Sequence, residues 1–168
     1  MRIVGIIMLF FVPVIISYNS VDKISKRIIE LKCCLIMLNE IKTRIAYSIT
    51  TVADIISELS ISDAYRPLSF LKESIWSNKD ESFANKWKIS VEKFSEICGM
   101  TKSDCELLLQ FGQGLGISDL ENQLSHIELY KDMFSRQLVD ATDNAGSKKR
   151  LYLSIGIILG CATIIILI

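Results

Sequence analysis

The chain has 168 residues, half of them hydrophobic, and its 19 basic and 19 acidic side chains cancel to a net charge of zero. That length holds one domain core and not two, and the balance lacks the basic footprint of a nucleic-acid binder. Five cysteines (Cys33, Cys34, Cys98, Cys105 and Cys161), odd in number and without a C-x-x-C spacing, form neither a disulfide framework nor a zinc site and read as free thiols.

The charge is confined to the middle. Ile3 to Tyr18 has no ionisable group except the Tyr18 phenol, and Leu151 to Ile168 has no formal charge, so 18 basic and all 19 acidic residues fall between them. Leu151–Ile168 as a helix is ~27 Å long at ~1.5 Å per residue, close to the ~30 Å hydrocarbon core. Both ends are therefore expected to be transmembrane helices, 1–18 and 151–168, around a domain at 19–150. Met1–Arg2 and Ile3–Ile16 also have the make-up of a signal peptide, but no small-residue pair marks a cleavage site near Ser17-Tyr18-Asn19-Ser20, so retention is the expectation. Lys23, Lys26 and Arg27 follow the first segment and Lys148, Lys149 and Arg150 precede the second. By the positive-inside rule the middle faces the cytoplasm.

From Val21 the apolar residues Val21, Ile24, Ile28, Leu31, Leu35, Leu38, Ile41 and Ile45 keep helical spacing, with Lys26, Glu30, Lys32, Asn39 and Lys42 opposite. One long helix is expected to leave the bilayer, with room for a bend at Asn19-Ser20. Thr50 or Thr51 caps the next helix, through Leu59. Ser62-Asp63 caps another that carries Leu68, Phe70, Leu71, Ile75 and Trp76, with Pro67 in its first turn. After a break at Asn78-Lys79-Asp80, Phe83, Trp87, Val91, Phe94 and Ile97 line a further helix that Cys98-Gly99 ends. Capping boxes at Thr101–Asp104 and Ser118–Glu121 open the last two, the second a long helix on Leu120, Leu124, Ile127, Met133 or Phe134, Leu138, Ala141 and Ala145. No strand or hairpin signal occurs. The fold class is all-α, a bundle of about six helices flanked by the two membrane helices, with the first and last long helices antiparallel.

Phe111-Gly112-Gln113-Gly114-Leu115-Gly116 is not the dinucleotide fingerprint, because its third glycine falls one position early and no strand precedes it. Gly112 and Gly116, at i and i+4, instead offer a bare strip for close approach of another helix, in the chain or from a partner. Gly114 or Gly116 also suits a left-handed helix end. His126, the single histidine, has no ligand or nucleophile partner at helical spacing and reads as a surface side chain beside Glu121 and Glu128. No carboxylate pair is arranged to separate two pKa values. Gly156 and Gly160 make a G-x-x-x-G in an apolar segment, suited to packing on the first segment or on another copy of the chain.

Over nearly its whole length the chain resembles the stage III sporulation protein AB family of endospore-forming bacteria. The most specific stretch is Glu106 to Asp119, with its leucines, Phe111-Gly112, Leu115-Gly116 and Asp119, followed by Gln123; Leu38-Asn39-Glu40-Ile41, Tyr47 before Thr50-Thr51, and Trp87 add support. Gly114 and Val52-Ala53 depart from the usual residues at a helix end and a turn. The resemblance implies a domain similar to the cytoplasmic domain of the type II secretion inner-membrane platform protein. It implies a non-enzymatic platform, without cofactor or metal, in a channel complex between mother cell and forespore. The partners it implies are the bilayer, a cytoplasmic hexameric ATPase of the same operon and other channel subunits. Gln110, Gly112, Gly116, Asp119 and Gln123 are the docking or packing candidates, with Gly156 and Gly160 in the membrane. A membrane-anchored adaptor without a motor is the alternative class, and a small enzyme using His126 or a cysteine a third.

Overall fold

The computed structural model describes residues 2–47, 51–74 and 82–167. Two very long helices, α1 (Arg2–Tyr47) and α6 (Leu120–Leu167), bracket four short ones: α2 (Val52–Ile61), α3 (Phe70–Ser74), α4 (Phe83–Ile97) and α5 (Lys102–Gly114). A 3₁₀ helix at Asp63–Tyr65 lies between α2 and α3, and there is no strand among the described residues. The all-α expectation holds. Among the described residues no helix is long and apolar enough to cross a membrane. Much of the two expected spans, namely the side chains of residues 1–11, 13, 14 and 163–168, lies outside the description.

The two long helices form the largest contact in the molecule and run antiparallel, since Arg27 of α1 meets Gln137 and Asp140 of α6 while Lys42 meets Glu128. α1 is unbroken through Asn19-Ser20, where the Ser20 hydroxyl donates to the Ile16 carbonyl, 3.0 Å away. On α6, Ile127, Phe134, Ala141 and Ala145 are buried, so Phe134 and not Met133 holds the core position. α1 carries Leu31, Cys33, Cys34, Met37, Leu38 and Ile41 into the core, and these side chains point in more than one direction. The helix is packed on two sides, by α6 and by the α2–α5 unit.

Lys26, Lys32 and Asn39 lie on the solvated face of α1 as expected, but the two-sided packing takes Glu30 out of it. Glu30 is fully buried and accepts a hydrogen bond from the Gly99 backbone N–H, 2.9 Å away, in the α4–α5 turn. Burial pushes its carboxyl above the usual range, opposed by that N–H and by nearby Lys26. Gly99 is there for closeness and not for a left-handed end: a Cβ would lie 2.7 Å from the Arg27 nitrogen and 2.8 Å from the Lys23 oxygen. Cys98 makes the α4 C-cap in extended conformation, and Ile97 is exposed while its carbonyl accepts from Lys26 Nζ at 2.6 Å.

Other ends also differ from expectation. Thr51 caps α2 and the Thr101–Asp104 capping box is present. Ser62 caps the 3₁₀ helix, and Pro67 lies before α3 instead of inside its first turn, so the expected single helix is split in two. Ile75, Trp76 and Asn78-Lys79-Asp80 lie outside the described residues. Asp119, not Ser118, caps α6, its Oδ1 accepting from the Asn122 N–H at 3.3 Å, and Leu120 is exposed.

The junction of the long helices with the short ones is ionic. Arg27 donates from Nε to Asp104 Oδ2 at 2.7 Å and from Nη2 to Oδ1 at 3.1 Å, a two-pronged pair, and reaches Gln137 Oε1 at 3.0 Å. Asp104 is fully buried and also accepts from the Thr101 N–H. Removing one partner of such a pair leaves the other charged and unsatisfied, which typically costs 3–5 kcal/mol, about the same here. Asp104→Ala is therefore expected to lose on the order of 3–5 kcal/mol in denaturant unfolding of the full chain followed by circular dichroism, whereas Asp143→Ala, on the exposed side of α6, stays within about 0.5 kcal/mol. Equal effects would show that the ion pair is not what joins these elements.

Candidate functional site

The candidate residues fall into two groups, separated by about 50 Å along α6 at ~1.5 Å per residue. At the tip, remote from the termini, α5 ends and α6 begins; at the base, Gly156 and Gly160 are buried between exposed neighbours. α6 packs on α1 and α5.

At the tip the glycines have separate roles and no bare strip exists. Gly112 is buried on α5 with the indole of Trp87 lying directly across it, where any Cβ would collide with the ring. Trp87 Nε1 donates to the Leu108 carbonyl at 2.8 Å, which fixes the ring in place. A Cβ on Gly114 would likewise collide with the His126 ring. Gly116 lies beyond the helix end at φ 78°, the left-handed position, and is exposed. Gly112 is therefore an internal packing site, which removes it from any docking surface.

His126 is not a free surface side chain. Its ring stacks on Phe111, centroids 5.7 Å apart at 12°, and its Nε2 lies 3.0 Å from the Phe111 carbonyl oxygen, which can only accept, so Nε2 carries the proton. Tyr130 tilts against it at 4.7 Å. Through Phe70–Trp87 at 5.1 Å and Trp87–Phe111 at 6.0 Å, an aromatic chain links α3, α4, α5 and α6.

Gln110 and Asp119 are exposed, while Gln123 is half-buried and donates from Nε2 to the Ser118 carbonyl at 2.7 Å. Gln123, Gly116, Leu120, Val52 and Phe83 border an open groove of about 470 Å³. Exposed Tyr47, Ile117 and Leu120 make the tip apolar as well. Among the described residues no cluster of three or more histidine, cysteine or acidic side chains could hold a metal ion. The described side chains of the tip thus combine a groove with an apolar rim.

One reactive contact lay outside the sequence reading. Cys98 Sγ, half-buried at the end of α4, is 3.8 Å from Cys105 Sγ, buried in the first turns of α5. The contact with Cys105 holds the Cys98 thiol down at about 7, while the Cys105 thiol is pushed far up. Their separation of seven residues spans a helix end and a capped helix start, a loop shape that no spacing rule announces. Cys33 and Cys34 are both buried, and burial pushes both thiols up.

The model of the stage III sporulation protein AB family matches residues 2–168. Stage III sporulation protein AB of Bacillus subtilis (strain 168) is 30% identical over 87 residues, which are 52% of this chain and 51% of that protein, so the match spans about half of the curated relative's length. A solved structure of a stage III sporulation protein AB is 22% identical with a TM-score of 0.60, over 71% of this chain and 96% of that one, a likeness of fold.

Adding a methyl at Gly112 forces the Trp87 ring to move, and overpacking of this kind costs about 1–3 kcal/mol. Gly112→Ala is expected to lose that much in unfolding of the full chain, with a red shift of tryptophan emission; an unchanged variant would contradict the packing role. Among the cysteines outside the terminal segments, Cys98 is expected to be alkylated first near neutral pH, its rate rising through about pH 7. In Cys105→Ala its thiol returns toward the ordinary 9.0. Iodoacetamide labelling of Cys98 near neutral pH should therefore be slower in that variant.

Proposed function

The chain belongs to the stage III sporulation protein AB family, and from that premise we propose that it is a non-enzymatic platform in the membrane, holding a cytoplasmic domain against an ATPase motor and the channel components around it. In this reading residues 3–18 and 151–168 lie in the bilayer, and the domain faces the mother-cell cytoplasm at the forespore envelope. The observation that carries it is the continuity of α1 and α6. Each runs as one helix from a terminus to the tip, so the base and the tip belong to the same two rods.

Support comes also from the base. Ile15, Ile16, Tyr18, Leu151, Leu153, Ile155, Ile157, Ile158 and Leu159 are exposed large apolar side chains on both rods, a surface that water disfavours and lipid accepts. At the tip, Gln110, Asp119 and Gln123 beside the groove are the docking candidates for the motor. Arg27 and Lys26, counted among the flanking charges, are engaged within the domain, so the orientation leans on Lys23, Lys148, Lys149 and Arg150.

The test uses the full chain in detergent and the hexameric ATPase encoded with it. Co-purification is expected, and Gln110→Lys with Asp119→Lys should reduce it at least about ten-fold, as loss of ~1.4 kcal/mol or more does, with circular dichroism unchanged. Absence of binding by the native chain would leave the adaptor without a motor as the better reading. Buried Cys33 and Cys105 are poor topology probes, whereas Cys98 is a suitable one: labelling by an impermeant maleimide only after permeabilisation supports the inward orientation, and labelling from outside overturns it.

A further inference from the structure

Where the rods leave the domain toward the termini, α1, α6 and the α4–α5 turn enclose a cleft of about 300 Å³ whose lining includes Lys23, Arg27, Thr101, Lys148 and Tyr152. No acidic residue lines it. Arg27 is neutralised by Asp104, but Lys23 and Lys148 approach from opposite helices, exposed and without an ion-pair partner among the described residues. Thr101 Oγ1 accepts from the Asp104 N–H, which leaves its own hydrogen free to donate, and the Tyr152 phenol is a further donor. The cleft therefore gathers two unpaired cations and two hydroxyl donors without a carboxylate, the chemistry of a phosphate site.

We propose that this cleft binds the phosphodiester headgroup of an anionic lipid, held between Lys23 and Lys148. The position selects lipid over free phosphate. Tyr152 lines the cleft beside Ser20, two residues from Tyr18 on the other rod, and from there toward the terminus of α6 exposed Leu153 and Ile155 follow, so the headgroup occupies the cleft while its chains run along the apolar base. Tyrosines at such a boundary and basic pockets just inside it are the known signature of interfacial anchoring and anionic-lipid binding. The cleft also touches Gly99 and Thr101, so a bound headgroup would brace the α4–α5 turn against α1. This proposal rests on the reading of the two ends as bilayer segments.

The full chain in neutral detergent is titrated with short-chain phosphatidylglycerol, with phosphatidylcholine and with inorganic phosphate, and thermal unfolding is followed. In parallel the chain is floated with vesicles of phosphatidylcholine alone. Phosphatidylglycerol is expected to raise Tm above the other two. Lys23→Gln with Lys148→Gln should bind it about thirty-fold more weakly and the single Lys148→Gln about five-fold, while Lys149→Gln with Arg150→Gln, outside the cleft, retains binding. Equal loss in the two double variants would mean diffuse surface charge and overturns the site. An equal rise with inorganic phosphate overturns the lipid assignment. A native chain that floats but does not distinguish the two lipids overturns the proposal and leaves the membrane reading standing, whereas failure to float overturns the membrane reading itself.

Discussion

Three elements meet at one guanidinium. Arg27 projects from α1, is gripped by Asp104 at the start of α5 and reaches Gln137 on α6, while one turn along, Glu30 takes the Gly99 N–H in the same α4–α5 turn. Burying an arginine is tolerable only when its donors are met, and burying Asp104 only when both oxygens are. Each therefore requires the other, and together they fix how the short helices seat on the long pair. Gly99 is the steric side of the same constraint, because a side chain there would lift the turn off α1 before the ion pair could close.

Much of the fold could be read from the chain. Helical spacing found both long helices, and Thr51 and Thr101 cap helices in the structure as their place in the sequence indicates. The errors have a common cause: a periodic pattern assigns one face to the core and the rest to water. The pattern puts Glu30 on the watery side of α1, but the α4–α5 turn packs over that position. His126 was read from its own helix alone, and what holds it comes from Phe111, fifteen residues away. Gly112 and Gly116 looked like one strip because four residues make a turn, yet the helix ends between them. Ser62 and Pro67 suggested one helix, where the structure has a 3₁₀ helix and a separate α3. Caps and periods are local, while the partners that decide a polar residue's place are not.

The aromatic chain explains why the tip is built on rings. Trp87 covers Gly112, Phe111 supports Trp87 on one side and His126 on the other, and Tyr130 closes against His126. Flat rings over glycines let α4, α5 and α6 approach closely while hydrogen bonds to the Leu108 and Phe111 carbonyls set their orientation. The single histidine and the cluster of glycines, which in isolation suggest chemistry, are consumed by packing. What is left facing outward at that end is the groove and its apolar rim.

The long pair is tied unevenly along its length. Lys42–Glu128, Lys131–Asn39 and Arg27 with Gln137 and Asp140 cross-link the rods through the domain, and each would have to break for one rod to slide along the other. Toward the base the buried α6 residues among those described are small: Ala141, Ala145, Gly156 and Gly160. The charged and polar ties hold the rods in register where the short helices are mounted. A force applied at the tip would therefore be carried down both rods together.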